Sequence, residues 1–372
     1  MMQRRRYLQL MLLPLFLSAC GDERGSTEPL LRLGEVLGGD ETQGYLRAET
    51  PRTFDFPADH GPHHGFRNEW WYFTGNLEDA AGRRFGYQLT FFNGATRPPG
   101  AEGAQSPWDS ERAWMAHLAL TDVAAGEHRV VERFSRESPA LAGANTDEIW
   151  LEDWRIEIGK GTEPWRLRAF DQDSGLGLEF ELRPLKPPVL QGREGLSQKS
   201  AEPGNASYYY SLTRIATAGR LRIGGTDHAV SGLSWLDREW STSALAEDQT
   251  GWNWFSLQFD DGQELMYYEL IDQNGAAHPY SAGNWTDTAA RQTYVTPDEV
   301  NLVPLSTWTS PNGTDYVTSW ELGYAGRRWR VEALLEDQWM DTSLPYWEGA
   351  VIVREAASGT PVGRGYLEQV RP

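Results

Sequence analysis

The sequence predicts an all-β protein, on three observations. Its 372 residues include 17 Trp, 15 Tyr and 13 Phe, with 38 Gly and 21 Pro but only 6 Met. Aromatic side chains suit a pleated, half-buried surface, and Gly and Pro suit tight turns. Apolar and polar residues also alternate with a period of two, the repeat of a strand rather than of a helix. Finally, the alternating runs are short and bounded by turn residues, as in sandwiches and barrels. No helix of ordinary length is signalled after residue 50. The length accommodates two domains.

The N-terminus reads as a targeting segment. Arg4-Arg5-Arg6 is a basic stretch, and Tyr7 to Leu17 is an apolar run too short to span a bilayer. Leu17-Ser-Ala-Cys20 resembles a bacterial lipobox, and Cys20 is the only cysteine of the chain. Lipidation would explain an otherwise unpaired thiol in a secreted protein and would anchor it stably. Residues 1–19 are thus expected to be a lipoprotein signal peptide. Residues 20–51 are expected to be the lipidated Cys20 and a flexible linker, with a helical turn or two near Leu30 to Leu37. The expected location is the periplasmic side of a membrane; Gly21 after the cysteine leans toward the outer one. A net charge of −19 argues against a nucleic-acid partner.

The folded part opens with a turn-rich segment whose His60, His63 and His64 lie near Asp59 and Glu69. This spacing fits no common zinc pattern, and no metal or other cofactor is expected. Glu69 to Leu77 and Arg84 to Phe92 form a hairpin about a turn at Asp79 to Gly82. Glu69, Trp71 and Phe73 share one face, and Phe85, Tyr87, Leu89 and Phe91 share another. Ala113 to Thr121 places Trp114, Leu118 and Leu120 opposite His117, a candidate ligand contact that is more simply a hydrogen-bonded core residue. Strands follow at Trp150 to Ile158, Trp165 to Asp171 and Gly177 to Arg183. Pro184 to Ser207 is rich in breakers and reads as a long loop, one reading of which is a lid over a barrel mouth. Tyr208 to Arg214 and Arg220 to Gly224 make the next hairpin.

Gly232-Leu-Ser-Trp-Leu-Asp-Arg-Glu-Trp-Ser241 is the stretch with the most chemistry. As a strand it places Trp235, Asp237 and Glu239 on one face and Leu236, Arg238 and Trp240 on the other. A strand serving only as wall would alternate apolar with solvated polar residues. Mixing charge with indoles on both faces implies a buried ion pair through Arg238, a functional site, or both. Beyond it, Trp252 to Phe259, Asp260-Asp-Gly262 and Glu264 to Ile271 form a hairpin that echoes 69–92 and hints at two similar halves. Strands near Asp315 to Leu322, Arg327 to Leu335 and Gly349 to Arg354 complete the pattern.

Glu69-Trp-Trp-Tyr-Phe-Thr-Gly-Asn-Leu77, Tyr208-Tyr-Tyr-Ser-Leu-Thr-Arg214, Trp235-Leu-Asp-Arg-Glu-Trp-Ser241 and the hairpin 252–271 resemble the AttH/carotenoid-1,2-hydratase family. The resemblance spans most of 52–372 and is nearer to the secreted AttH proteins associated with ABC transporters. It implies two tandem lipocalin-like β-barrel domains, here placed at 52–242 and 243–372. It also implies a catalytic acid at the position matching Glu269, with Tyr267 on the same strand face. The hydratases carry histidine near where Arg238 stands.

Three functions follow. The first is a membrane-tethered binder of an apolar lipid or isoprenoid, with ABC-transporter components as possible partners. The second is an acid-catalysed hydratase, isomerase or cyclase, with Glu269, Asp237 and Tyr267 catalytic. In either case Glu69, Trp71, Tyr72, His117, Trp235, Arg238, Glu239, Trp240 and Trp254 are the candidate ligand contacts. A carboxyl shielded among rings has its pKa raised and serves as a general acid, and aromatic faces stabilise a developing cation. Hydrolysis ranks third: Ser234 has Gly232 before it but Leu236 after, so no nucleophile elbow exists.

Overall fold

The computed structural model describes residues 42–100, 110–243 and 245–371. The expected signal peptide, Cys20 and the expected helical turn near residues 30–37 lie outside the described residues. The regular structure of the described chain is strand, with two three-residue 3-10 turns at Ala58–His60 and Pro297–Glu299. The first sheet begins with β1 (Asn68–Asp79), β2 (Arg84–Ala95), β3 (Arg112–Asp122) and β4 (Glu127–Arg136). Its short strands are β5 (Ala142–Ala144), β6 (Glu148–Leu151) and β7 (Trp154–Glu157). Next come β8 (Trp165–Asp171), β9 (Leu176–Pro184), β10 (Val189–Leu190) and β11 (Leu196–Gln198). The long strands β12 (Ala206–Ile223) and β13 (Thr226–Ser241) complete it. The second sheet starts with β14 (Gln249–Phe259), β15 (Glu264–Asp272), β16 (Ala282–Thr286) and β17 (Gln292–Val295). It continues through β18 (Val300–Thr309), β19 (Asp315–Tyr324) and β20 (Arg327–Ala333). It ends with β21 (Trp339–Met340), β22 (Tyr346–Glu355) and β23 (Pro361–Val370).

The two sheets are wired alike. In the first, β1 pairs with β2 on one side and with the last strand, β13, on the other. In the second, β14 pairs with β15 and with the last strand, β23. The first sheet curls into a nearly closed barrel and the second into a half-barrel, the lipocalin-like arrangement. Arg133 on β4 bridges the open side of the first barrel. It lies 4.4 Å over the Trp154 ring and donates to the Phe170 carbonyl across the gap.

Two local expectations change. Trp150 to Ile158 is a hairpin rather than one strand, turning at Glu152, whose φ is +56°. The stretch 184–207 is no lid: β10 and β11 pair with β12, and the segment between β11 and β12 brings Lys199 into the interior.

Each barrel is filled by its own alternating face. Trp71, Phe73, Phe85, Tyr87, Leu118 and Trp240 are among the residues packing the first. Phe255, Leu257, Tyr267, Trp347 and Leu367 help fill the second. Over most of β1, β2 and β3, and over residues 206–217 of β12 and 234–241 of β13, the opposite faces are also largely withdrawn from water. They pack against β14, β15, β22 and β23, so these strands are buried on both sides. That is why their sequences carry large side chains at nearly every position. The approach is close at Gly86, where a Cβ would lie 2.8 Å from both Ala350 Cβ and the Tyr366 hydroxyl. An ion triad fastens the seam: Glu264 on β15 receives Lys186 Nζ at 2.6 Å and Arg214 Nε at 2.5 Å. Arg214 lies where the β12–β13 ladder is interrupted between Leu212 and Ile215. Such a bulge re-aims side chains.

Candidate functional site

Strand β13 sends its two faces into two different interiors. On the barrel side the Arg238 guanidinium, fully buried, donates to Glu69 Oε2 at 2.7 Å and to the Gly61 carbonyl at 2.5 Å. It lies 3.7 Å from the centre of the Trp71 ring. Glu69 also accepts from Asn93 Nδ2 at 3.0 Å and from the His63 amide at 2.9 Å. Burial would raise the Glu69 carboxyl, but Arg238, His63 and Arg112 hold it well below the usual carboxylate range. His60 bonds the Tyr210 hydroxyl at 2.6 Å, and His63 stacks on Trp240 at 3.7 Å. Glu69, Trp71, Arg238 and Trp240 therefore form one buried charge cluster inside the packed first barrel.

On the seam side, Asp237 is buried, with no cation bonded to it among the described residues. Its Oδ1 accepts from Ser211 Oγ at 2.5 Å and from Trp235 Nε1 at 2.6 Å; its Oδ2 accepts from the Tyr209 hydroxyl at 2.5 Å. Tyr209 in turn accepts from Trp254 Nε1 at 3.1 Å. These donors favour the charged carboxylate, yet loss of solvation outweighs them and the nearby Glu239 adds to it. The Asp237 pKa is pushed up to about 7.

Asp237 faces a pocket between the sheets with an enclosed volume of about 90 Å³, or about 730 Å³ with its open mouth. Trp70 and Tyr72 of β1, Tyr209 of β12, Trp252 and Trp254 of β14 and Tyr268 of β15 form its aromatic wall. Three carboxyls and one ammonium are set into that wall: Asp237, Glu239, Glu368 and Lys199. Glu368 on β23 accepts from Trp252 Nε1 at 2.5 Å. Burial, with Asp237 and Glu239 nearby, pushes its pKa up to about 7 as well. Glu239 accepts a short bond from Ser207 and pairs with Lys199 Nζ at 3.4 Å. Lys199 Nζ also lies 4.1 Å over the Tyr268 ring. Burial works against the Lys199 charge, but Glu239 and Tyr268 raise its pKa. The pocket thus holds one ion pair and two carboxyls that exchange protons near neutral pH.

Tyr72, Trp235, Asp237, Glu239 and Trp254 come together at the seam. Glu69, Trp71, Arg238 and Trp240 gather on the other side of the same strands. Glu269 and Tyr267 belong to neither group, because on β15 it is Met266, Tyr268 and Leu270 that face the seam. Tyr267 packs inside the second sheet, and Glu269 accepts from Asn253 Nδ2 at 2.8 Å. Burial raises the Glu269 pKa, opposed by Asn253 and Arg371. His117 lies at the seam away from the pocket wall, bonded to Glu132 and Tyr346. Sequence reasoning missed Glu368, Lys199 and, behind Tyr72, Glu348. Tyr346-Trp-Glu348 and Tyr366-Leu-Glu368 carry the same juxtaposition of acid and ring that singled out Asp237, so the signal was present. Lys199 had none, sitting in a breaker-rich stretch.

Two curled sheets of like wiring, with an acid-bearing aromatic pocket at their seam, define a lipocalin-like double-barrel protein. The family model described as AttH-like matches residues 47–370, and the chain belongs to that family. A crystal structure described as an AttH from Nitrosomonas europaea shares 32% identity over 87% of this chain and 99% of its own, with a TM-score of 0.79. Kievitone hydratase from Nectria haematococca has the same fold at 14% identity and a TM-score of 0.65, over 88% of this chain and 96% of its own. CghA, solved with Sch210972, shares 13% identity with a TM-score of 0.54, over 91% and 97% of the two chains. No curated protein matches the chain in sequence.

Proposed function

We propose that the protein is an enzyme performing acid–base chemistry on an unsaturated bond of an apolar small molecule: a hydration, isomerisation or cyclisation. The carrying observation is that Asp237 and Glu368, both with pKa values pushed up to about 7, line the same aromatic pocket. A general acid or base works best when its pKa lies near the ambient pH. One carboxyl delivers a proton to the unsaturated carbon; the other takes a proton from the attacking water or from the adjacent carbon. The cation that develops between these steps faces Trp70, Trp252 and Trp254, whose ring faces stabilise positive charge. A space of 90 Å³ is smaller than the roughly 150 Å³ cavity that takes up benzene. Only a short unsaturated segment therefore enters, and the rest of the ligand lies in the mouth. The likeness to a protein named a hydratase supports this class of reaction.

The test is incubation in D2O with isoprenoid alcohols and conjugated polyenes, read by mass spectrometry. Deuterium uptake or addition of water by the wild type, lost in both Asp237→Asn and Glu368→Gln, is the expected result. Full turnover by either variant sinks the assignment of that residue. A wild type that quenches its tryptophan fluorescence with these compounds but never incorporates deuterium would instead be a carrier, the reading favoured by the aromatic wall alone. Attachment to a membrane through Cys20, on the periplasmic side, belongs to the same proposal. It predicts incorporation of labelled palmitate that Cys20→Ser abolishes.

A further inference from the structure

We infer that a line of neighbouring side chains, Glu132–His117–Tyr346–Glu348–Tyr72, carries protons between the solvent edge of the first sheet and the pocket at the seam. The inference rests on the acid–base reading of the pocket, which needs its carboxyls re-protonated or relieved of protons after each turnover.

The line begins at Glu132 on β4, whose carboxylate is 18% exposed and accepts from the Ser343 amide at 3.0 Å and Ser343 Oγ at 2.8 Å. His117 Nε2 lies 3.0 Å from Glu132 Oε1, and His117 Nδ1 lies 2.9 Å from the Tyr346 hydroxyl. Tyr346 and Glu348, two residues apart on β22, share one face, where each alters the other's proton affinity. Glu348 Oε2 is buried without a hydrogen-bond partner among the described residues, so a proton it carries is free to turn to the Tyr346 hydroxyl. Tyr72, in the pocket wall, donates a short bond to Glu348 Oε1. Glu348 stands directly opposite Glu368 in the β22–β23 ladder, which places the line beside a pocket carboxyl.

The surroundings keep water out. Met115, Ala119, Met340 and Leu344 pack with Tyr346 in one apolar cluster. The Phe92 ring covers His117 at 5.4 Å, and Gln88 Nε2 approaches the Tyr346 hydroxyl at 3.4 Å. Glu348 is 1% exposed and faces Tyr72, Tyr346, Tyr366 and Glu368, with no cation among them. Burial, then Glu368, raises its pKa well above the usual range, so it holds a proton. A glutamine would make the same bonds without the cost of a buried ionisable group. Every station from His117 to Tyr72, by contrast, has a proton to give and a place to receive one, and Glu132 is the acceptor at the end.

The transfer balances. Glu132, an acceptor, takes the hydrogen bond of the His117 Nε2 proton, leaving Nδ1 to accept from Tyr346. A proton arriving on the Tyr72 oxygen displaces the phenolic proton to Glu348 Oε1. Glu348 releases its Oε2 proton to Tyr346, which passes its own to His117 Nδ1. The imidazolium gives up its Nε2 proton to Glu132 and thence to water. Each O–H or N–H bond broken is replaced by one formed, and one proton moves outward. The reverse sequence brings one in.

The experiment reads the relay without any substrate. In D2O at neutral pH, the infrared C=O stretch of the protonated Glu348 carboxyl, identified by its loss in Glu348→Gln, shifts as deuterium arrives. His117→Gln, which keeps a donor at the Nε2 position for Glu132 but cannot pass a proton across a ring, should slow that shift about tenfold or more. Glu132→Gln, at the accessible end where folding is least at risk, should also slow it. Unchanged exchange in both variants overturns the relay, as does the lack of any carboxyl band removed by Glu348→Gln. Because deuterium incorporation into substrate judges the pocket separately, either idea can fail while the other stands.

Discussion

Glu69 and Asp237 lie on adjacent strands of one sheet, both withdrawn from water, and they differ in what faces them. Glu69 points into the first barrel, where Arg238 sits at 2.7 Å. Asp237 points into the seam, where only neutral donors reach it. The same burial that would raise both pKa values is overcome on one side and prevails on the other. A paired acid is permanently charged and serves as a structural member. An unpaired one is poised to give and take a proton. What separates frame from chemistry here is the partner, not the depth.

The hardest way to break this comparison is to unpair Glu69. Arg238→Met leaves a fully buried carboxylate facing an indole, and removing one partner of such a pair costs about 3–5 kcal/mol. Urea denaturation at pH 7 should show that loss, and Arg238→Met with Glu69→Leu should recover part of it. A loss below about 1 kcal/mol would mean that Arg112 and His63 suffice without Arg238.

The second effect has the opposite pH signature. Asp237 has a folded-state pKa raised above its unfolded value of about 3.9. Its contribution is fully present below that value and is lost as pH rises through about 7. Glu69, with a depressed pKa, contributes above about 4.3 and loses that contribution as pH falls through its folded value. Between pH 4 and pH 8 the wild type should therefore lose roughly 2–4 kcal/mol more stability than Asp237→Asn does. Parallel stability curves for the two proteins would show that Asp237 titrates normally.

These residues also mark how far the sequence could be read. The period-two pattern assigns Trp71, Phe73, Tyr87 and Leu118 to shared faces, and those faces fill the first barrel. It cannot say which face of β13 meets a pocket, because each face meets an interior and so carries both charge and rings. Mixed polarity on both faces is itself the mark of a strand buried twice. Glu368 and Glu348 become site residues only because β23 pairs with β14 and β22 with β23, contacts far apart in the chain. Glu269 was chosen by resemblance. Alternation alone places it with Tyr267, on the opposite face from Tyr268, and Tyr268 is the one in the pocket wall.

The smallest change sharpens the comparison most. Tyr209→Phe deletes one of the three donors to Asp237 while leaving the ring that lines the pocket. A hydrogen bond to a charged group contributes about 1.5–3 kcal/mol. Part of that is recovered because the neutral carboxyl also accepts from Ser211 and Trp235. The Asp237 pKa should therefore rise above about 7 by roughly one unit, since one unit corresponds to about 1.4 kcal/mol. Carboxyl carbon-13 NMR titration reads this directly, with Glu69 in the same spectrum as the acid that stays ionised. A fall in the Asp237 pKa on losing Tyr209 would mean that the phenol favours the protonated form, and the account of how this acid is tuned would be wrong.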